Sequence, residues 1–319
     1  MAGGASKEQF VFTTDRAGSQ CEMVLRMDPR DGVLETSRVR EAEVLKVARD
    51  VVPVPIVHYA DYDGTLLGMP GLVTSFVNGV TKPPEAGSGV SGLGTGFNAE
   101  WRAKLAPQFV THLAAIHRIN VQDPRLEHFS VPDRDPRHPA LWEVNHWSRV
   151  WEEDQQAANP LIAVTENWLR ANLPECTEPV LVHGDYRTGN YLFDAETGDI
   201  TAILDWELAH IGDFHQDLAL SMTEIFSCHR DDGVKLCSSL MTEDDFIAAY
   251  ERATARKVCR QTLQFYRVLS VWSLAIMGGA TGLRAAKAQH NHQDILLTWL
   301  SMVVYPLSQE ILTILDPEN

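Results

Sequence analysis

The sequence predicts an α+β fold of two lobes, a small β-rich one followed by a larger, mainly helical one. Three observations carry that expectation. Apolar, β-branched runs crowd residues 1–80, helical periodicity dominates from residue 99, and one β-hairpin interrupts the helices within residues 180–206. A chain of 319 residues is also too long for a single small core.

In the first part, FVFTT (10–14) and CEMVLRM (21–27) flank a Gly-Ser turn and read as a hairpin. SRVREAEVLKVAR (37–49) places Val39, Ala42, Leu45 and Val47 or Ala48 on one side of a helix, which Pro53 and Pro55 stop. Strands are expected again around Leu66 and Leu67 and at LVTSFV (72–77). KPPEAGSGVSGLGTG (82–96) breaks the composition with Pro, Gly and Ser, so the lobes are placed at 1–80 and 99–319, joined by a flexible linker at 81–98. That linker holds a G-x-G-x-x-G at 87–92, but Pro-Pro-Glu-Ala precedes it instead of a strand, and it reads as loop.

Beyond Asn98 the segments AEWRAKLAPQFVTHLAAIHRI, ALWEVNHWSRVWEEDQQ and AVTENWLRANL are helical in period, with Trp142, Trp147 and Trp151 assigned to the core. From about Asp213 helices return, one of them DDFIAAYERA with Thr242 as its N-cap. ILLTWLSMVVYPL (295–307) is shorter than the roughly 20 apolar residues of a membrane span and is expected as a buried helix.

Composition is that of a globular protein, 45% hydrophobic and 22% charged. The net charge of −16 argues against nucleic acid or an anionic membrane as partner, since both need a cationic footprint. Five scattered cysteines without a C-x-x-C pair, and a start (MAGGASK) lacking an apolar core, suggest a reducing cytoplasm. Nothing in the sequence sets an oligomeric state.

The chemistry concentrates in VLVHGDYRTGNYLFD (180–194), where a core-strand pattern runs into His183, Asp185 and Asn190 before a second apolar run. A turn at 195–199 and the return strand ITAILD (200–205) make this a hairpin. If Asp194 faces Ile200, antiparallel pairing sets Asn190 opposite about Leu204, next to Asp205, and the loop holding His183 and Asp185 feeds the same end. Carboxylates gathered so closely repel unless a cation or proton intervenes. Asn190 and Asp205, an oxygen-only set, suit Mg²⁺ shared with substrate phosphates. Asp185 is then free to take a proton from an attacking hydroxyl, and the chemistry implied is phosphoryl transfer.

HGDYRTGN, followed by LDWE and GDFHQDLAL, resembles the aminoglycoside phosphotransferase and choline kinase group of the protein-kinase-like superfamily. Within that group it is most similar to the branch attached to acyl-CoA dehydrogenases. The resemblance covers nearly the whole chain and implies a kinase of small molecules, using ATP or GTP with Mg²⁺ and a hydroxylated substrate. It makes Asp185 the catalytic base, with Arg187 beside it among the catalytic residues and His183 bracing the loop. Asn190 and Asp205 would hold Mg²⁺, and Asp217 would anchor the loop. Arg26 would meet the phosphates, with Glu41 as its helix partner. Gly3, Gly4 and Ser6 would belong to the phosphate loop, and Ser75, Phe76 and Val77 to the hinge that receives the purine. Two departures stand out. Only Met1 and Ala2 precede Gly3 where the family has a strand, and Arg26 replaces a lysine, still a phosphate binder.

Blander readings sit beside these. His290 and His292, Asp231 with Asp232, and residues 243–245 read as solvated surface. Two other classes of function compete: a nucleotide-binding scaffold without turnover, and a metal-dependent phosphohydrolase built on His183, Asp185, His210 and His215. For the acceptor, Glu224, Asp231 and Asp232 suit a polyamine sugar. The dehydrogenase-associated resemblance and the apolar FYRVLSVWSLAIM suit a hydroxylated acid or acyl thioester.

Overall fold

In the computed structural model, which describes residues 7–16, 18–30, 32–83, 92–288 and 294–316, the small lobe opens with the expected hairpin. Strands β1 (Glu8–Arg16) and β2 (Ser19–Met27) pair antiparallel along their whole length. Helix α1 (Arg38–Ala48) follows, capped by the Ser37 side chain, which accepts from the Arg40 amide. Strands β3 (Val57–Asp61) and β4 (Gly71–Ser75) complete a sheet in the order β1-β2-β4-β3. The expected strand at Leu66 and Leu67 is not one. Both of their amides donate to Asp61 Oδ2, at 2.8 and 2.7 Å, inside a turn. Asp61, Asp63, Gly64 and Gly68 punctuate that stretch too densely for a strand, and the pairing falls to VHYAD instead.

Helix α1 packs against β3, β4 and the 3-10 turn Trp206–Leu208 of the other lobe. It is therefore buried on most sides: Ala42, Val44 and Ala48 are enclosed, and so are the charged Arg38 and Glu41. The second lobe begins with α2 (Ala99–Ile116), α3 (His138–Asp154) and α4 (Pro160–Ala171). Strand β5 (Val180–Val182) and the hairpin β6 (Tyr191–Phe193) and β7 (Ile200–Ile203) come next, then β8 (His210–Gly212), which pairs with β5. After α5 (His215–Ser221), the short pair β9 (Cys228–His229) and β10 (Lys235–Leu236) leads to α6 (Glu243–Thr254), N-capped by Thr242 as the sequence suggests. Helix α7 (Arg260–Ile276) is the lobe's centre, with Phe265, Tyr266 and Trp272 fully buried. It runs through a π-helical turn (Met277–Gly282) into α8 (Leu283–Ala288), and α9 (Asp294–Ser301) and α10 (Val304–Leu315) follow.

Two further expectations need correcting. Trp147 is core and Trp151 packs on it, but Trp142 is 37% exposed and stacks on the His138 ring. The segment 295–307 is helical, yet only its inner face is buried, through Leu297 and Leu307. Ile295, Trp299, Met302 and Tyr305 face outward because α9 and α10 lie on the outside of the lobe. By length and composition alone, Arg260–Ala288 and Ile295–Leu315 could each cross a membrane; the first is the lobe's central core helix.

Val80 bridges to Phe193 on β6, with N···O distances of 2.9 and 3.0 Å. Gly79 is required there: at its φ of +153°, a Cβ would stand 2.8 Å from Thr201 Oγ1 and 2.9 Å from Leu192 Cβ.

Candidate active site

The hairpin register decides what meets at its end. Tyr191 pairs with Ile203 and Leu192 with Ala202, a bulge intervenes, and Phe193 pairs with Ile200. One residue before the strand, the Leu204 amide donates to the Asn190 carbonyl at 2.8 Å, so Asn190 stands opposite Leu204 and beside Asp205. Asp205 sits at φ +59°, ψ +57°, a left-handed conformation costly for a non-glycine residue and typical of strained functional positions.

The loop 183–190 is held from beneath. Asp217, fully buried on α5, accepts from the His183 amide at 2.8 Å and the Gly184 amide at 2.9 Å, and its Oδ2 lies 3.0 Å from His117 Nε2. His117 in turn contacts the Tyr250 hydroxyl at 2.7 Å, fixing the anchor to α2 and α6. Burial alone would push the Asp217 carboxyl up, but the bonds from His117 and the His183 amide outweigh it and hold it below the usual range. Gly184, at φ +83°, brings the loop against Leu208, whose carbonyl oxygen would lie 2.6 Å from any Cβ. His183 is enclosed. Its Nδ1 accepts from the Asp185 amide at 3.2 Å, so Nε2 carries the proton and donates to the Leu204 carbonyl at 2.9 Å. Burial lowers its pKa, and the neutral ring ties the loop to the return strand.

Asp185 is the focus of the corner. Arg187 Nε donates to its Oδ1 at 2.8 Å, and Asn190 Nδ2 donates to its Oδ2 and to its carbonyl at 2.9 Å. The Arg187 guanidinium lies over the Phe226 ring, 4.4 Å from its centroid. Burial pushes the Asp185 carboxyl up, Asp205 adds to the shift, and Arg187 opposes it. Asp205 goes the other way. Burial is outweighed there by Arg26 and Arg187, which hold it low and ionised.

Arg26 on β2 spans the lobes. Its Nη1 meets Glu41 Oε1 at 2.9 Å and its Nη2 meets Asp205 Oδ1 at 2.6 Å. A group that sequence reasoning missed surrounds this bridge. Lys7 Nζ contacts Asp28 at 2.7 Å and Glu207 at 3.5 Å, and Arg38 pairs with Glu41 and with Asp28 at 3.2 Å. Burial, with Asp205 and Glu41, pushes the Glu207 carboxyl up against the pull of Lys7 and Arg26. The one available signal was Glu207 itself, two residues after Asp205 in LDWE.

A cavity of about 940 Å³ opens between the lobes and is lined by Arg26, Glu41, Asp185, Arg187, Asn190 and Asp205. Ser75, Phe76 and Val77 line it too, while Gly3, Gly4 and Ser6 lie outside the described residues. Most of the rest of its lining is apolar, including Leu34, Trp142, Trp147, Leu269, Leu274 and Met277, with Glu143, His146, Ser270 and Ser273 interspersed. Glu224, Asp231 and Asp232 are not among its lining residues. Glu224 pairs with Lys235, and Asp232 with Arg230. His210 and His215 do not converge with His183: their rings bond to Leu208 and Gln216, and to Asp213 and the Cys259 amide. Among the described residues no group of three or more His, Cys, Asp or Glu side chains is set to hold a metal. The oxygen pair differs in kind. The Asn190 amide nitrogen is spent on Asp185, leaving its oxygen, and Arg26 takes only Oδ1 of Asp205, which fits a small hard cation such as Mg²⁺.

Fold and corner together define a protein-kinase-like enzyme of two lobes. The chain belongs to the phosphotransferase enzyme family (APH), whose sequence profile matches residues 1–260. Acyl-CoA dehydrogenase family member 10 of Mus musculus is 28% identical over 224 residues, covering 69% of this chain and 19% of that protein. The relatives named acyl-CoA dehydrogenase family members 10 and 11 are much longer, and the chain covers between 13% and 38% of their lengths. Among solved structures, an aminoglycoside phosphotransferase candidate from Ralstonia eutropha JMP134 superposes with a TM-score of 0.71 at 19% identity, covering 98% of this chain and 93% of its own. A thermostable mutant of the aminoglycoside phosphotransferase APH(4)-Ia, in a ternary complex with ADP and hygromycin B, gives 0.56 at 16% identity, covering 97% and 92%.

Proposed function

We propose that this chain transfers the γ-phosphoryl group of ATP or GTP to a hydroxyl of a small molecule bearing an apolar portion, with Mg²⁺, in the cytoplasm. The observation that carries the reading is the convergence of Asp185, Asn190 and Asp205 on one cavity that the Arg26–Glu41 pair also lines. Asp185 accepts the proton of the acceptor hydroxyl, and its raised pKa suits a base that must hold that proton during transfer. Arg187, clamped between Asp185 and Phe226, sets a fixed positive charge where negative charge develops. Arg26 meets the phosphates together with Gly3, Gly4 and Ser6, and Ser75, Phe76 and Val77 receive the purine. Asn190 and Asp205 would hold Mg²⁺, which would neutralise charge on the nucleotide tail.

The apolar walls support a hydroxylated acid or acyl thioester over a polyamine sugar, as do the ion pairs that occupy Glu224 and Asp232. Five free cysteines support the cytoplasmic placement. The test is a nucleotide-consumption screen over hydroxy acids, acyl-CoAs and aminoglycosides with Mg²⁺ and each purine triphosphate. Consumption stimulated by an apolar-tailed alcohol and lost in Asp185→Ala is the expected result. A folded protein that binds nucleotide, yet consumes none in the presence of any of these acceptors, is a scaffold and refutes the reading.

A further inference from the structure

Three arginines line the cavity among the described residues: Arg26, Arg40 and Arg187. Carboxylates hold two of them, Glu41 and Asp205 at Arg26 and Asp185 at Arg187. Arg40 differs. Its Nη2 donates to the Ala209 carbonyl at 2.9 Å, its guanidinium lies over Phe129 at 5.3 Å from the ring centroid, and its Nε is buried without a partner. Two carboxylates are near enough to favour its charge, and both are otherwise engaged. Glu43 is taken by the ring and amide of His128, and Glu143 by Gln216, with His210 at 3.6 Å. Burial disfavours the Arg40 charge by more than these carboxylates restore. A guanidinium in a cavity with apolar walls, with donors unspent and no ion pair among the described residues, is built to receive an anion.

We propose that Arg40 binds an anionic group of the acceptor, a carboxylate or a phosphate, while the apolar walls take the aliphatic part between it and the hydroxyl at Asp185. This rests on the kinase reading only for the direction of the hydroxyl; the anion site can be tested without turnover. Decanoate, decanol and decanoyl coenzyme A are titrated calorimetrically into the wild-type chain, Arg40→Gln and Arg40→Lys.

Decanoate is expected to bind the wild type about tenfold to a hundredfold more tightly than decanol, the scale of one charge-assisted hydrogen-bonded contact. Arg40→Gln removes that preference without weakening decanol, and Arg40→Lys keeps part of it. If the thioester, which lacks a free carboxylate, depends on Arg40 as strongly, the anion is a coenzyme phosphate; if only the free acid does, it is a carboxylate. Either supports the proposal. Neither decanoate nor decanoyl coenzyme A binding more tightly than decanol, or an Arg40→Gln variant weakened equally toward all three probes, overturns it. A chain that binds decanoate through Arg40 but phosphorylates no hydroxylated analogue leaves the anion site standing and refutes the kinase reading instead.

Discussion

Arg26 Nη2 lies 2.6 Å from Asp205 Oδ1, an ion pair that ties the small lobe's sheet to the turn that follows the β6–β7 hairpin. The same guanidinium holds Glu41, so one side chain sets the position of α1 against the Asp185–Asn190–Asp205 corner. Removing it leaves Glu41 buried beside Glu207 with less positive charge to offset them. Arg26→Met is expected to lower stability by about 3–5 kcal/mol, the scale of breaking a buried pair by deleting one partner. It should also weaken nucleotide binding. Urea unfolding and nucleotide titration check the two effects, and Arg26→Lys should restore part of both.

Asp185→Asn keeps the size of the side chain and deletes the base. Acceptor-dependent turnover should fall by about 10²–10⁴, with nucleotide affinity unchanged, as read by single-turnover kinetics beside calorimetry.

The pH profile carries a sign. Burial first, and Asp205 second, raise the Asp185 pKa, while Arg187 lowers it. Because the base acts ionised, kcat/KM falls as pH drops through that raised value, and the acid limb lies above the usual carboxylate range. Arg187→Met removes the opposing charge, so the limb should move to higher pH. A limb that stays or moves down contradicts the assignment.

Asn190→Ala removes one of the two oxygen side chains suited to Mg²⁺. The Mg²⁺ concentration for half-maximal turnover should rise by more than the roughly tenfold that losing an outer partner of a metal ligand costs. Circular dichroism should show the fold intact.

Asp217 is depressed in the folded protein, so it contributes stability above its unfolded pKa, and that contribution is lost as pH falls through the lower folded value. Asp217→Asn should cost about 3 kcal/mol near neutrality, the scale of a charged acceptor taken from buried bonds. Denaturant curves should show the gap to wild type closing in acid.

How legible these features were in the sequence depended on how local their cause is. The hairpin at 191–203 was legible from its two apolar strands and short turn; Asn190 falls opposite Leu204 as expected, but Phe193 and not Asp194 pairs with Ile200, and a bulge makes up the difference in the count from the turn. The opening hairpin and the Thr242 cap were legible for the same reason. Lys7, Arg38 and Glu207 were not, because their ion pairs span up to 200 positions and exist only after α1 is wedged between the lobes. Burial of α1 on most sides encloses the charged Arg38 and Glu41, of which only Glu41 was expected, as the helix partner of Arg26. The strand misplaced at Leu66 and Leu67 followed two apolar side chains that turn chemistry at Asp61 leaves in solvent. Trp142 and the outer face of α9 were misassigned because hydrophobicity alone does not say which side of a helix meets the core.

The most direct test follows the terminal phosphoryl group itself. ATP carrying heavy oxygen on its γ-phosphate is incubated with the chain, Mg²⁺ and a hydroxylated aliphatic acid or thioester, and the products are weighed by mass spectrometry. The account predicts labelled phosphate on the acceptor oxygen with the wild type and none with Asp185→Ala. Label found solely in inorganic phosphate, or equal transfer by Asp185→Ala, contradicts it.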